Sequence, residues 1–148
     1  SEMCIRDSCG TGSIGLHLAD RAEYVLGIEI VKEAVVDARL NAERNGIENC
    51  SCIVGKAEDE LISIRDRDFN LVVVDPPRPG LHKNVLAALG QMVPPRILYV
   101  SCNPQTLAEN AYVLKDYGYG IGRVQPVDMF PQTSHAETVV SLHFKRKM

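Results

Sequence analysis

The stretch RILYVSCNPQTLAENAYVL, residues 96–114, contains the repeating unit of the fold. Its first half is a short apolar run of the kind that forms a buried strand. The pair Asn103-Pro104 stops that run, and Pro104 suits the first turn of a helix. Three apolar residues then recur at helical spacing and predict an inner face: Leu107, Ala111 and Leu114. The stretch therefore predicts a strand that passes directly into a helix.

Short apolar runs alternate with amphipathic segments along the whole chain, which predicts an α/β fold with a mainly parallel sheet and helices on both of its faces. The predicted strands are 24–29, 51–54, 69–74, 96–101 and 138–144, with a weaker one near 121–127. The predicted helices are 13–21, 31–45, 57–65, 80–91 and 104–117. Ligands of such sheets sit beyond the carboxyl ends of the strands. Polar motifs follow residues 28, 74 and 100, so all three are expected at that edge.

Length and composition predict one soluble globular domain, with 148 residues, 45% hydrophobic and 24% charged. The net charge of -3 argues against a free-standing nucleic-acid binder, whose footprint is normally basic. No apolar run approaches the roughly 20 residues that span a bilayer. The 5 cysteines include no repeated CxxC pair, which argues against a disulfide framework and a four-cysteine zinc site. A reducing, cytoplasmic location is therefore expected.

The glycine-rich loop CGTGSIG, residues 9–15, predicts a site for an adenosine-containing cofactor. Gly10 and Gly12 allow the backbone to turn tightly and approach a ligand, and the helix that follows offers free N–H groups. Glu29 ends the next predicted strand, where a carboxylate can accept hydrogen bonds from both ribose hydroxyls. This pattern alone does not separate NAD from S-adenosylmethionine.

The segment before that loop, SEMCIRDS at residues 1–8, is atypical for a buried central strand. Such strands usually read as nearly continuous Val, Ile and Leu, whereas this one carries three charged residues. Either the true strand is cut off or residues 1–8 are not native sequence, and the second explanation is preferred. The chain is accordingly divided into a leader, 1–8, and a catalytic domain, 9–148.

The motif DPPRPG, residues 75–80, follows the predicted strand 69–74. Consecutive prolines stop the strand and stiffen the loop, because each fixes φ and lacks an N–H. A plain strand-ending turn would also use Asp and Pro. A stiff loop, however, holds Asp75 beside a ligand at little cost in ordering. Methyltransferases that act on planar nitrogen or carbon often carry such a loop, so it favours S-adenosylmethionine over NAD.

The combination of SCNP at 101–104, DPPR at 75–78 and DMFPQTSHAE at 128–137 resembles the catalytic domain of the uracil-5-methyltransferases of tRNA and rRNA. The resemblance covers about residues 9–146. It implies a Rossmann-like class I methyltransferase fold with an antiparallel C-terminal strand. It also implies S-adenosylmethionine as cofactor and a uridine in RNA as substrate.

The resemblance also implies roles for individual residues. Cys102 corresponds to the nucleophile and Glu137 to the base that removes a proton. Asp75 corresponds to the site between cofactor and target base, and His135 either orients the site or belongs to a plain turn. The remaining positions correspond to cofactor contacts: Ser8, Gly10, Gly12, Ser13 and Glu29.

The leader departs from the family pattern at two positions. Ser8 stands where the family usually has Tyr or Phe, and Arg6 where it usually has Asp. Family members also usually carry an N-terminal RNA-binding part, and the resemblance implies that RNA binding needs it. It implies no metal ligands and no membrane contact in this segment.

Two alternatives stay open beside the uridine enzyme. One is another RNA methyltransferase class, acting on cytosine C5 or on an amino group. The other is an inactive fragment that only binds cofactor. The sequence does not choose between tRNA and rRNA as substrate.

Overall fold

The computed structural model describes residues 3–7, 13–128 and 137–145, with the backbone alone for 3–7, 13 and 14. These ranges form a sheet with helices packed against it. The strands are β1 Met3–Asp7, β2 Tyr24–Glu29, β3 Cys50–Val54, β4 Leu71–Val74, β5 Arg96–Ser101, β6 Tyr119–Val127 and β7 Glu137–Phe144. The helices are α1 Ser13–Ala19, α2 Lys32–Arg44, α3 Ala57–Ser63, α4 Lys83–Met92 and α5 Pro104–Asp116.

The seven strands form one sheet in the order β3-β2-β1-β4-β5-β7-β6. Strands β1 to β5 are parallel, whereas β7 runs antiparallel to both β5 and β6. The mainly parallel sheet with an antiparallel C-terminal strand is therefore confirmed. The chain adds β2 and β3 on one side of β1 and the remaining strands on the other. This reversal creates a switch point between β1 and β4, where the carboxyl ends of the strands bind ligands.

Helices cover both faces of the sheet, as the alternation of elements predicted. Val72 and Val74 of β4 belong to the larger core cluster, together with buried residues of α3, α4 and α5. Val73 points to the opposite face and packs with Ala19 of α1. Because successive side chains of a strand alternate between faces, one short strand anchors both layers.

The helix boundaries follow local signals in the sequence. Helix α2 ends at Arg44 with Asn45 as C-cap, and Gly46 follows with a φ of 64°, so the helix ends within one residue of the predicted boundary at 45. Helix α4 begins at Lys83 and not at residue 80, because Gly80 has a φ of 83° and the His82 side chain caps the helix.

The segment Met3–Asp7 occupies the centre of the sheet, where it pairs with β2 on one side and β4 on the other. Its backbone takes the place expected of a first strand, despite a sequence that is poor in Val, Ile and Leu. The division between a non-native leader and the domain that follows stays a prediction.

The described cysteines include both free thiols and a disulfide-bonded residue. Cys50 and Cys102 are free thiols, whereas Cys52, which is buried in β3, is disulfide-bonded. An odd cysteine count argues against a framework of bridges, but one bridge needs only one pair with suitable geometry, which spacing in sequence does not reveal. Burial raises the pKa of the Cys50 thiol and so favours its protonated form.

Leu114 of α5 offers a test of the packing, because it is fully buried in the larger core cluster. Replacement by Ala removes buried methyl groups and leaves a cavity, so Leu114→Ala is expected to lower the free energy of unfolding by about 2–5 kcal/mol. Val113→Ala changes an exposed neighbour on the same helix and should shift it by only about 0.5 kcal/mol. Urea unfolding of both variants measures the difference. Equal losses would contradict the assignment of the inner face.

Candidate active site

Three side chains singled out from the sequence follow strands at one edge of the sheet. Glu29 ends β2, Asp75 follows β4, and Cys102 follows β5. Strands β1 and β4 lie between β2 and β5, so Glu29 and Cys102 stand about three strand spacings apart, ~14 Å. The edge therefore has room for an extended ligand with an acid at one end and a thiol at the other.

A tight turn presents Cys102 at this edge. The Ser101 hydroxyl accepts a hydrogen bond from the Asn103 N–H (3.0 Å) and donates one to the Asn103 carbonyl (2.8 Å). The Asn103 side chain in turn accepts from the Gln105 N–H (3.0 Å) and so caps α5. Cys102 itself is half-buried. It does not pack as a small core residue, which is the usual role of a free cysteine.

The loop after β4 is fastened to this turn. The Arg78 carbonyl accepts hydrogen bonds from the Asn103 side-chain amide (3.2 Å) and the Thr106 hydroxyl (3.0 Å). The loop is closed on itself by the Gly80 N–H, which donates to the Pro77 carbonyl (2.9 Å). Half-buried Asp75 begins this loop, next to the turn that carries the thiol.

Strand β7 brings Glu137 to the same corner. The antiparallel register pairs Ser101 of β5 with Thr138 of β7. Cys102 follows Ser101 and Glu137 precedes Thr138, so both residues lie one step beyond this pair. Glu137 also pairs with Val127 of β6 and is half-buried. The fold thus brings together a thiol and a carboxylate that lie far apart in sequence.

An open groove with a volume of about 260 Å³ lies beside Glu29, slightly smaller than the range of about 300–1,000 Å³ typical of small-molecule sites. Its walls come from Glu29 and Ile30 after β2, residues 55–58 after β3, and a set after β4 that includes Pro76, Pro77, Gly80, Leu81 and His82. One oxygen of the nearly buried Glu29 carboxylate accepts the Val31 N–H (3.1 Å). The carboxylate is therefore held in place at the wall of the groove.

Sequence reasoning missed part of this groove. Residues 55–58 and His82 line it, yet no motif marked them. The signal for 55–58 was present, because β3 ends at Val54 on the same sheet edge as the other strands. His82 is marked only in three dimensions: its Nδ1 accepts the Asn84 N–H (3.1 Å) and caps α4.

Several predicted contacts are not described. Ser8, Gly10, Gly12 and His135 lie outside the described residues, and Ser13 begins α1 with only its backbone described. In the part of the chain that the structure covers, no group of three His, Cys, Asp or Glu side chains could hold a metal ion. Over the same residues, no helix is both long and apolar enough to cross a membrane.

Comparison with known protein families gives a match over nearly the whole chain. The family model described as tRNA (uracil-5-)-methyltransferase matches residues 4–145. An uncharacterized RNA methyltransferase of Oceanobacillus iheyensis is 49% identical over 146 residues, 97% of this chain and 32% of the relative. Another, from Clostridium acetobutylicum, is 47% identical over 134 residues, 89% of this chain and 29% of the relative. The chain spans about a third of the length of these relatives.

Solved structures show the same architecture. The tRNA (uracil-54, C5)-methyltransferase of Pyrococcus abyssi, in complex with S-adenosyl-L-homocysteine, is 34% identical with a TM-score of 0.82, covering 96% of this chain and 34% of that one. An rRNA methylase of Streptococcus thermophilus has a TM-score of 0.77 at 15% identity, covering 99% of this chain and 88% of that one, so its likeness is one of fold. The predicted Rossmann-like class I methyltransferase fold is confirmed.

Proposed function

The chain belongs to the tRNA (uracil-5-)-methyltransferase family, and from this premise we propose that it is the catalytic domain of an RNA methyltransferase that modifies C5 of a uridine. S-adenosylmethionine is the proposed methyl donor. The observation that carries the proposal is the pairing of Ser101 with Thr138, because Cys102 and Glu137 are the chain neighbours of that pair and the loop of Asp75 follows the adjacent strand β4. A thiol and a carboxylate at one corner are the two groups that this chemistry needs.

Cys102 is the proposed nucleophile, because uracil C5 is too weak a nucleophile to take a methyl group unaided. Addition of the thiolate sulfur to C6 forms an S–C6 bond and moves the C5–C6 electron pair into an enolate. That enolate is nucleophilic at C5, where the carbon–carbon bond to the methyl group would form as the bond between that methyl group and the donor's sulfonium sulfur breaks, with S-adenosylhomocysteine as the leaving group. Covalent catalysis of this type replaces one difficult step by several easier ones.

Glu137 is the proposed general base. After methylation, C5 carries both a methyl group and a hydrogen, and the carboxylate removes that hydrogen as a proton. The electron pair of the C5–H bond then forms the C5–C6 double bond again and expels the Cys102 thiolate from C6. The enzyme ends the cycle with its thiol restored, one methyl group transferred and one proton released.

The groove beside Glu29 supports the proposed cofactor. It lies at the carboxyl ends of the strands, and Glu29 supplies a fixed carboxylate for the ribose hydroxyls. The structure of the Pyrococcus abyssi relative with S-adenosyl-L-homocysteine supports the same choice. When bound, S-adenosylmethionine supplies an electrophilic methyl group. The residues proposed to hold it are Ser8, Gly10, Gly12, Ser13, Glu29 and Asp75.

RNA is the proposed partner, and tRNA and rRNA are both retained as substrates. The target uridine must leave its base stack to reach a thiol at the edge of the sheet. The acidic balance of the chain, -3, supports the view that another part of the full-length protein supplies RNA affinity. Because its substrate is RNA, the enzyme is proposed to act in the cytoplasm.

Nucleoside mass spectrometry tests the proposed function. The full-length protein is incubated with S-adenosylmethionine and, separately, unmodified tRNA and rRNA transcripts, which are then digested to nucleosides. The expected result is 5-methyluridine from one of the two RNAs. A product of 5-methylcytidine or of an amino-methylated nucleoside would contradict the proposal, and so would the absence of any methylated product.

Glu29→Gln is expected to weaken the binding of S-adenosylhomocysteine by ~10- to 100-fold. The variant keeps the size of the side chain but loses the charge, and hydrogen bonds to charged groups are worth about 1.5–3 kcal/mol. Calorimetry of the full-length protein measures the affinity. Glu33→Gln, which removes an equal charge from an exposed position in the first turn of α2, should bind as the wild type does. Equal affinity in both variants would rule out a ribose contact at Glu29.

A further inference from the structure

Asn110 joins three elements around the proposed active site. Its side-chain oxygen accepts a hydrogen bond from the Tyr99 hydroxyl (2.7 Å) and another from the Leu81 backbone N–H (2.8 Å). Asn110 belongs to α5, Tyr99 to β5, and Leu81 ends the loop that follows β4. Asn110 is only 8% exposed and Tyr99 is fully buried, so water does not readily replace these bonds. One amide oxygen therefore fastens the loop to both the strand and the helix that flank Cys102.

The packing around Gly80 shows how closely this loop approaches α5. Gly80 has a φ of 83°, and a Cβ added there would lie 2.7 Å from the Asn110 Oδ1 and 3.2 Å from the Thr106 Cβ. Only a residue without a side chain fits between the loop and the helix. The close approach and the two hydrogen bonds involve the same Asn110 oxygen, and together they fix the end of the loop that Asp75 begins.

Tyr99 stays a hydrogen-bond donor at every pH at which the protein works. Burial in the core raises its pKa to about 12, with a smaller raising effect from the nearby Cys102. The hydroxyl is therefore protonated at neutral pH and donates to Asn110. Tyr99 lies in β5, three residues before the thiol that follows the strand.

We propose that Asn110 is a positioning residue, which holds the loop of Asp75 in register with Cys102 through its bonds to Leu81 and Tyr99. The proposal rests on the proposed function, because it assigns Asn110 to the geometry of that same site. Asn110 does not touch the reacting atoms. It acts by keeping two neighbouring strand ends at a fixed separation, and a displacement of 1 Å in such an arrangement can cost ~10²-fold in rate.

The test compares two buried tyrosines that each donate a single described hydrogen bond. Tyr99→Phe removes the bond to Asn110, whereas Tyr119→Phe removes a 2.7 Å bond to the Pro94 carbonyl at the opposite edge of the sheet. Both variants lose one buried hydroxyl and keep the core volume, so similar decreases in thermal stability are expected. Only Tyr99→Phe should lower kcat, by ~10-fold, with the KM for RNA unchanged.

Substitutions at Asn110 itself complete the test. Asn110→Leu removes both bonds and should lower kcat by ~10²-fold, again with little change in the KM for RNA. Asn110→Asp keeps an oxygen that accepts from both donors and should restore most of the rate. All variants are assayed in the full-length protein by the formation of 5-methyluridine and by the rate of covalent complex formation with RNA containing 5-fluorouridine.

Each outcome has a distinct meaning. If the wild type is active but Tyr99→Phe and Tyr119→Phe have equal kcat values, the positioning role is wrong and the proposed function stands. If Asn110→Asp is no faster than Asn110→Leu, the positioning role is also wrong. If the wild type forms neither 5-methyluridine nor a covalent complex, the proposed function itself fails.

Discussion

Cys102→Ala is expected to abolish methyl transfer and to prevent any covalent complex with RNA that contains 5-fluorouridine. Without the sulfur no bond to C6 forms, so C5 never becomes nucleophilic. The expected loss in kcat is at least ~10³-fold. Removal of the nucleophile of a serine protease, for comparison, lowers kcat by ~10⁶-fold. In the wild type, fluorine at C5 leaves no proton for the base to remove, so the complex is trapped after methylation. Denaturing gel electrophoresis detects it as a protein band of lower mobility.

Cys50→Ala is the matched control for this experiment. Cys50 is the other free thiol described, but it lies in β3, at the far side of the sheet from β5. Its variant should form the covalent complex at the wild-type rate. A complex that persists in Cys102→Ala would show that another residue is the nucleophile, and the mechanism would be wrong.

Glu137→Gln is expected to stop the reaction one step later. Addition of Cys102 and methylation do not need the carboxylate, but removal of the C5 proton does. Loss of a general base typically lowers the rate by ~10²- to 10⁴-fold. The covalent complex should therefore accumulate with ordinary, unfluorinated RNA in the presence of S-adenosylmethionine, whereas the wild type releases its product and shows little complex.

Glu109→Gln is the matched control. It removes the same charge as Glu137→Gln, but from an exposed position on α5. It should neither slow turnover nor accumulate complex. Turnover of Glu137→Gln at the wild-type rate would exclude Glu137 as the base. Failure of that variant to form any complex would instead assign the carboxylate to an earlier step.

Local signals explain why most of the fold was predictable. The sequence from Arg96 to Asp116 predicts a strand, a turn and a helix without information from elsewhere in the chain. The apolar run, the Asn-Pro pair and the helical spacing are all contained within it. The order of the strands in the sheet does not follow from such local signals. The placement of β7 between β5 and β6 depends on pairings between distant segments, and the resemblance to a family implied only that the C-terminal strand is antiparallel.

The same distinction holds for the candidate site. Cys102 and Asp75 follow strands, so the rule that ligands meet the carboxyl ends of parallel strands placed them at the ligand edge, and the resemblance to a family supplied their roles. Asn110 gave no such signal. Its importance comes from a hydrogen bond to Leu81, 29 residues earlier, and a polar residue in the middle of a helix usually faces solvent. Contacts of this kind are properties of the assembled fold, and no window of sequence contains them.

The pairing of β5 with β7 also has a consequence for the fluctuations of the protein. The thiol and the carboxylate lie beyond Ser101 and Thr138, at the very end of one antiparallel ladder. Ladder ends open more readily than their middles, and amide hydrogen exchange reports such opening. Under the proposed mechanism, opening of this ladder end moves the turn that carries Cys102 away from β7 and lowers the fraction of competent molecules. Exchange at the amides of Ser101 and Thr138 therefore reports how often the proposed catalytic pair is disrupted.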